Sequence, residues 1–206
     1  MVAQIMGRCS TVEPYLCQSS VRPRITAMPA GAAAASCAAH QERGTLSVSE
    51  IAILGLARSA DAREIAEMSR DLIEQGLTWS WTPARVQHFI SGPESSVVVA
   101  RREQRIAAFA IMHFGDEVAH LNLLAVAPDH RRQGLGRQLM DWLRATAIEA
   151  GVFRINLELR THNEAARFFY QCLGFDQLGV VQGYYQGREA ALRMSLRLAK
   201  NESERG

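Results

Sequence analysis

The stretch Val126-Ala127-Pro128-Asp129-His130-Arg131-Arg132-Gln133-Gly134-Leu135-Gly136-Arg137 decides how this chain reads. An apolar strand-like run ends at Val126, a polar turn follows, and a helical pattern begins inside a glycine-containing segment. The first backbone N–H groups of a helix have no carbonyl one turn back, and the helix dipole adds partial positive charge at that end. Glycines let the backbone approach a diphosphate closely. Arg131, Arg132 and Arg137 bring further charge to the same place. The segment therefore reads as a phosphate-binding turn between a strand and a helix. A Walker A loop is excluded, because the lysine and hydroxyl it requires are missing. A dinucleotide fingerprint would need a third glycine where Leu139 stands, and it normally follows the first strand of its fold. A plain helix start carrying a solvated arginine cluster stays open on this segment alone.

Outward from this turn the elements alternate. Downstream, Leu135, Leu139, Trp142 and Leu143 mark the core face of a helix that runs to about Ala150, and Gly151 closes it. Residues 153–159 alternate: Ile155, Leu157 and Leu159 point one way, Asn156, Glu158 and Arg160 the other. Thr161 with Glu164 resembles a capping box opening a helix through Leu173, with Gly174 as its stop. Two strands, near 175–182 and 190–198, are joined by a Tyr/Gly-rich turn. Upstream, three strands are predicted at about 96–102, 105–114 and 117–126, joined by short polar turns and so antiparallel. Before them lie a strand at 51–58 and two helices. Asp61 with Glu64 is the predicted capping pair of the first, Ile65, Met68 and Leu72 its apolar face. Thr82-Pro83 starts the second, where Val86, Phe89 and Ile90 form the apolar side. This order predicts an α+β fold with a βαβ crossover in the middle of the sheet.

Composition sets the bounds. The chain has 206 residues, 48% apolar and 21% charged, with a net charge of +2, the size and balance of one globular domain plus an extension. Lys200 is the single lysine among many arginines. The positive surplus lies in residues 1–44, where Arg8, Arg22, Arg24 and Arg43 face Glu13 and Glu42; the remainder is charge-neutral. That argues against nucleic acid or an anionic membrane as partner. Residues 1–44 are rich in alanine, serine and proline and show no sustained period. They read as a disordered tail or an over-extended gene start, with a transit peptide as the alternative. The alanine-rich run 32–39 is too short to span a bilayer. The domain is assigned to residues 45–200 and a polar tail to 201–206. Cys9, Cys17, Cys37 and Cys172 form no C-x-x-C pair, and no metal-ligand spacing is found. A reduced, cytoplasmic setting is expected, with Cys172 as a small core residue.

Arg131-x-x-Gly134-x-Gly136 after a strand resembles the acetyl-CoA loop of the GNAT superfamily of N-acetyltransferases. Asn163-x-x-Ala166-x-x-x-Tyr170-x-x-x-Gly174-Phe175 resembles the helix and strand that close that family's active site. The resemblance covers residues 46–200, including the element order. It implies a central mixed, mostly antiparallel twisted sheet with flanking helices, and acetyl-CoA as cosubstrate without a metal. By the same resemblance, Leu124, Ala125 and Val126 would bond the pantetheine arm along their backbone, and a splay beside the strand at 153–159 would open a slot for the thioester. The amides of Arg132, Gln133, Gly134, Leu135, Gly136 and Arg137 would hold the pyrophosphate, and Asn163 would contact the cofactor arm. The alternative for Asn163 is local capping.

Transfer of acetyl to an amine needs a base to remove a proton from the ammonium and an acid to protonate the departing thiolate. Leu157-Glu158-Leu159-Arg160 with Asn163, Ala166 and Tyr170 is similar to the ribosomal-protein N-terminal alanine acetyltransferases. That similarity implies Glu158 as base and Tyr170 as acid. The residues allow this, since Glu158 lies on the polar face of an otherwise apolar strand. A salt bridge to Arg160 or Arg154 is the alternative for Glu158, and a core tyrosine the alternative for Tyr170. His113 and His120, on strands, are rival bases. Trp79-x-Trp81 would form an acceptor wall, or else simply pack between helices. Tyr184 and Tyr185 resemble the Tyr-Tyr turn of the same subgroup, although Gly183 and Ala190 depart from its pattern. The expected activity is acetylation of a primary amine, with a protein N-terminal α-amine, a ribosomal protein's included, as the leading acceptor. A small-molecule amine and a non-catalytic acyl-CoA sensor are the alternatives. A monomer or weak homodimer is expected.

Overall fold

Valine- and alanine-rich alternation between Ser95 and Val126 is interrupted by two short polar turns, and a strand that meets such a turn folds back on itself. In the computed structural model, which describes residues 2–4 and 52–198, three consecutive antiparallel strands result: β3 (Ser95–Arg102), β4 (Arg105–Phe114) and β5 (Val118–Val126). Ahead of them run β1 (Val2–Gln4), β2 (Ile53–Leu56), α1 (Ala62–Leu72) and α2 (Pro83–Ser91). After them come α3 (Leu135–Glu149), β6 (Arg154–Arg160), α4 (Glu164–Cys172), β7 (Asp176–Tyr185) and β8 (Glu189–Arg197). The strand order is β2-β3-β4-β5-β6-β8-β7, with β1 paired to β5 outside this path. The β5–β6 pair is parallel because α3 carries the chain back across the sheet.

The sheet separates two cores. On one face α3 buries Leu135, Leu139, Met140 and Leu143 against Ala110, Met112, Leu121, Leu157 and their neighbours. Each fully buried leucine contributes about 1.5–3 kcal/mol relative to exposure. On the other face α1 and α2 bury Ile65, Ala66 and Val86 against Val97, Val99, Phe109 and Ile111.

One irregularity shapes the middle of the sheet. Met112 lies opposite Leu121 and Ile111 opposite Leu123, so Asn122 is an extra residue in β5. Such a bulge reverses the alternation beyond it and bends the strand. Leu121 and Leu124, three apart, therefore face the same core, while Leu123 and Ala125 turn to the other. The β5–β6 ladder covers Val118–His120 against Arg154–Asn156 and stops there.

Several predicted boundaries move. Asp61 does not cap α1 through its side chain; it accepts from Arg58 N at 2.5 Å and pairs with Arg101. Glu64 reaches across to the backbone N–H of Ile106, at 3.1 Å. Asn163, not Thr161, caps α4, accepting from Ala166 N at 3.1 Å. Thr82 and Pro83 start α2 as their residue types require, with Arg85 N donating to the Thr82 hydroxyl at 3.4 Å. Gly183, Tyr184 and Tyr185 belong to strand β7 rather than to a turn. Cys172 is exposed, because the buried face of α4 runs through Ala166 and Tyr170 and leaves Cys172 on the opposite side. Of the segment 1–44, residues 2–4 form β1; the expectation for the remainder, and for the tail 201–206, lies outside the described residues. No helix among the described residues is long and apolar enough to cross a membrane.

Candidate active site

The turn after β5 is held by its own atoms. Pro128–His130 make one turn of 3-10 helix, and Arg131 N donates to Pro128 O at 3.2 Å. The Arg131 side chain folds back, its Nε donating to Val126 O at 3.2 Å. Gln133 Nε2 donates to Asp129 O at 3.1 Å and closes the loop. Arg132 (φ 63°) and Gly134 (φ 81°) take left-handed conformations that curl the backbone into the first turn of α3. Leu135 offers only its backbone here, since its side chain is core. Arg132, Gln133 and Arg137 are exposed around the same point. A Cβ at Gly136 would stand 3.2 Å from Phe169 Cζ, so the absence of a side chain lets α3 approach α4.

Beyond His120 and Asn156, β5 and β6 no longer pair. Leu124, Ala125 and Val126 line the gap with buried side chains, leaving their backbone as the polar element of its β5 wall. β1 lies along that wall, with Val2 opposite Ala125, Ala3 opposite Leu124 and Gln4 opposite Leu123, and it also touches β6 and α4. The three residues given to the pantetheine arm by resemblance thus include two that β1 pairs with. Asn163 stands at the start of α4, where its side chain makes the cap described above.

Glu158 is 6% exposed and projects from β6 away from the α3 core. Three groups from three strands converge on its carboxylate. Tyr184 on β7 donates its hydroxyl to Oε2 at 3.2 Å. Arg193, the cross-strand partner of Glu158 on β8, places Nε 3.3 Å from Oε1. His120 on β5 brings Nε2 to 3.1 Å from Oε2. Burial pushes the carboxyl up; His120, the Tyr184 hydrogen bond and the Arg193 charge outweigh it and hold Glu158 below the usual carboxylate range. Neither arginine weighed from the sequence is its partner. Arg160 instead meets Glu189, at 3.4 Å, and donates to Gln75 O at 2.7 Å. The reason is register: the β6–β8 pairing sets Arg193, not a neighbour along β6, directly across from Glu158.

Tyr170 lies in α4, fully buried, its ring edge-on to Phe169 and Phe175 at 5.1 and 5.3 Å. Its hydroxyl has no hydrogen-bond partner among the described residues. Burial alone pushes that hydroxyl well above the ordinary phenol value, so it stays protonated. A buried tyrosine hydroxyl normally finds a partner, and this one is left with an unused donor.

The aromatic wall resolves unevenly. Trp81 is 0% exposed, packed at 5.0 Å in a tilted arrangement against Phe89 of α2, and has no surface for an acceptor; the packing alternative fits it. Trp79 is half-buried with the Arg70 guanidinium over its ring at 5.5 Å. Tyr185 is buried against Tyr184, at 5.0 Å, leaving Tyr184 as the member of the pair that reaches Glu158. Four features had gone unread in the sequence. Arg193 lies 35 positions from Glu158, and nothing in its own stretch marks the partnership. Tyr184 reaches Glu158 because β7 runs on to Tyr185, past the strand end predicted near residue 182. Glu74, 2% exposed, receives Ser80 N and Oγ at 2.8 Å and Trp81 N at 3.2 Å, and so builds the loop carrying both tryptophans. The bulge at Asn122 had one visible trace, the loss of alternation between His120 and Val126.

Residues 65–175 match the model of the acetyltransferase (GNAT) family. The ribosomal protein bS18-alanine N-acetyltransferase of Escherichia coli (strain K12) is 41% identical over 95 residues, which are 45% of this chain and 64% of that protein, under two thirds of its length. The N-alpha-acetyltransferase RimI of Mycobacterium tuberculosis is 29% identical over 137 residues, 65% of this chain and 84% of that protein. The crystal structure of the ribosomal-protein-S18-alanine N-acetyltransferase from Escherichia coli superposes with a TM-score of 0.61 at 29% identity, covering 75% of this chain and 98% of that one.

Proposed function

We propose, from the premise that this chain belongs to the GNAT family of acetyltransferases, that it transfers acetyl from acetyl-CoA to a protein N-terminal α-amine, an N-terminal alanine of a ribosomal protein being the leading acceptor. The observation that carries this is Glu158: a buried carboxylate on one face of the sheet at the mouth of the β5–β6 gap, with the orphan hydroxyl of Tyr170 in the core of the other face. A substrate passing between the unpaired ends of β5 and β6, where β1 lies, would meet a base on one face of the sheet and an acid on the other. Similarity to two enzymes named for N-terminal acetylation supports the choice of acceptor.

The residues fit the cosubstrate. Gly136 keeps the first turn of α3 open where a Cβ would press on Phe169, Gly134 and Arg132 curl the loop, and the exposed Arg132 and Arg137 complement a pyrophosphate. Acetyl-CoA supplies a thioester carbonyl open to attack by an amine. Glu158 accepts the proton that makes the amine nucleophilic, and Tyr170 Oη donates to the departing sulfur. Asn163 caps α4 and thereby fixes the helix that carries Tyr170. Trp79 and Tyr184, flanking the carboxylate side, are the aromatic surfaces left for the acceptor. The setting we assign is the cytoplasm, where such acceptors and acetyl-CoA meet.

The test is CoA release from acetyl-CoA by the full chain, with peptides beginning in alanine, serine or methionine beside polyamines, amino acids and aminoglycosides. Turnover on alanine-starting peptides, abolished when their N-terminus is blocked, is the expected result. Turnover confined to small amines overturns the protein acceptor, and acetyl-CoA binding without turnover overturns catalysis.

β1 adds a second expectation. It and a pantetheine arm cannot share the backbone of Leu124 and Ala125. An intramolecular competitor reduces apparent affinity by the fraction of time it occupies the site. Deleting residues 2–4 is expected to lower the KM for acetyl-CoA a few-fold while kcat holds. An unchanged KM would mean that β1 leaves its place at no measurable cost.

A further inference from the structure

We propose that His120 is the proton outlet of Glu158, taking on the proton that the carboxylate removes from the acceptor amine and passing it to solvent. This rests on the acetyltransferase reading above, and it gives a role to an imidazole that the reaction itself does not require.

The argument is one of chemistry and position. Three side chains touch the Glu158 carboxylate: Tyr184, Arg193 and His120. A guanidinium has no acceptor and does not deprotonate in proteins, and a phenol hydroxyl already donating to the carboxylate has no site for an added proton at neutral pH. An imidazole has both a donor and an acceptor nitrogen and changes protonation near neutrality. Of the three, the imidazole alone can carry a proton onward. Glu158 itself is almost closed to water, with a side chain 8% exposed, whereas the His120 side chain is 29% exposed. His120 is also the last β5 residue paired to β6, opposite Asn156, so its backbone stands where the gap begins. Its cross-strand neighbour on β4 is His113, which is exposed and stacks edge-on against Phe89 at 6.4 Å. The charged and titratable groups facing this pair are thus Arg193 on β8, Tyr184 on β7 and His113 on β4.

The energetics call for such an outlet. An α-ammonium has a pKa of about 8 and an ordinary carboxyl one near 4, and Glu158 is held lower still. A proton arriving on this carboxylate gains little by staying there. The imidazole, which touches the carboxylate and reaches the surface, is the next station for that proton. The balance is simple: one N–H bond of the ammonium breaks as an O–H bond forms on Glu158; that proton moves to Nε2 of a neutral His120 while the Nδ1 proton passes to water. One proton leaves per turnover, matching the conversion of an ammonium and a thioester into an amide and a thiol.

The test compares the full chain with His120→Gln, whose amide can still contact the carboxylate but cannot relay a proton, using the acceptor with the highest CoA-release rate. The expected result is a kcat at least about tenfold lower, an acetyl-CoA KM within twofold of the unaltered chain, and recovery of kcat as free imidazole is added to the buffer. A kcat within twofold of the unaltered chain overturns the outlet. So does a loss that imidazole fails to reverse in a variant with an unchanged circular dichroism spectrum and melting temperature. If His120→Gln does not fold, His120→Asn takes its place under the same criteria. Absence of turnover by the unaltered chain overturns the acetyltransferase reading itself; normal turnover with an inert His120→Gln substitution overturns the outlet alone.

Discussion

Glu158→Gln is expected to lower kcat by about 100- to 10,000-fold, the range that a positioned base contributes. Gln keeps the shape and an acceptor oxygen for the Tyr184 hydroxyl, so the site should remain assembled while losing its proton acceptor. The KM for acetyl-CoA should hold, because Glu158 lies on the face of the sheet opposite the α3 core and away from the phosphate turn. Steady-state kinetics with the best acceptor, checked by circular dichroism, decides this; turnover within a fewfold of the unaltered chain would make Glu158 a structural partner of Arg193. The pH profile gives a second reading. With its carboxyl held below the usual range, Glu158 stays ionised through mildly acidic and neutral pH. Glu158 therefore adds no limb to kcat/KM in that range, and the highest limb is set by the acceptor amine. For an α-amine it should level off around pH 7.7–8.0, and for a lysine-like amine only near 10. The position of that limb thus separates an N-terminal acceptor from a side-chain one.

Tyr170→Phe is expected to cost about 100-fold in kcat while leaving the fold as stable or more so. These two effects have one cause. The hydroxyl is buried without a partner, a situation that costs about 1–3 kcal/mol in a folded protein. Removing it relieves that cost and leaves the ring packed on Phe169 and Phe175. For a chain of this size each kcal/mol corresponds to about 2–4 °C in Tm, so a rise of a few degrees should accompany the lost activity. A core tyrosine with a satisfied hydroxyl would show the reverse, a lower Tm and near-normal kcat. Stability given up at a functional position is the signature that separates the two.

The turn between β5 and α3 was legible because its information is local. Gly134 must adopt φ 81°, Gly136 must leave room, and the strand before and helix after follow from apolar spacing over a dozen residues. The same locality made β3, β4 and β5, the α3 crossover and the Thr82-Pro83 start of α2 readable, since each depends on neighbours in sequence. Helix starts were less legible. Thr161 and Glu164 have the right types for a capping box, yet Asn163 takes the position, because several polar residues in succession can each cap and only packing chooses among them. Glu64 likewise found Ile106 N, 42 positions away, a better partner than its own helix end.

By itself the sequence determined the family, the order of elements from β2 onward, the glycine-containing turn between β5 and α3, and the residue types able to carry acid–base chemistry, because all of these are encoded in short-range spacing. Tertiary structure alone decided which of those residues meet. The β6–β8 register set Arg193 on Glu158 and diverted Arg160 to Glu189. The extra residue at Asn122 reversed the alternation of β5 just past His120, the last residue paired to β6. Burial took Trp81 and Tyr185 out of reach of any acceptor while sparing Tyr184. Each of these depends on pairing between strands distant in the chain, and a side chain's charge, exposure and partners are properties of that pairing rather than of its own stretch of residues.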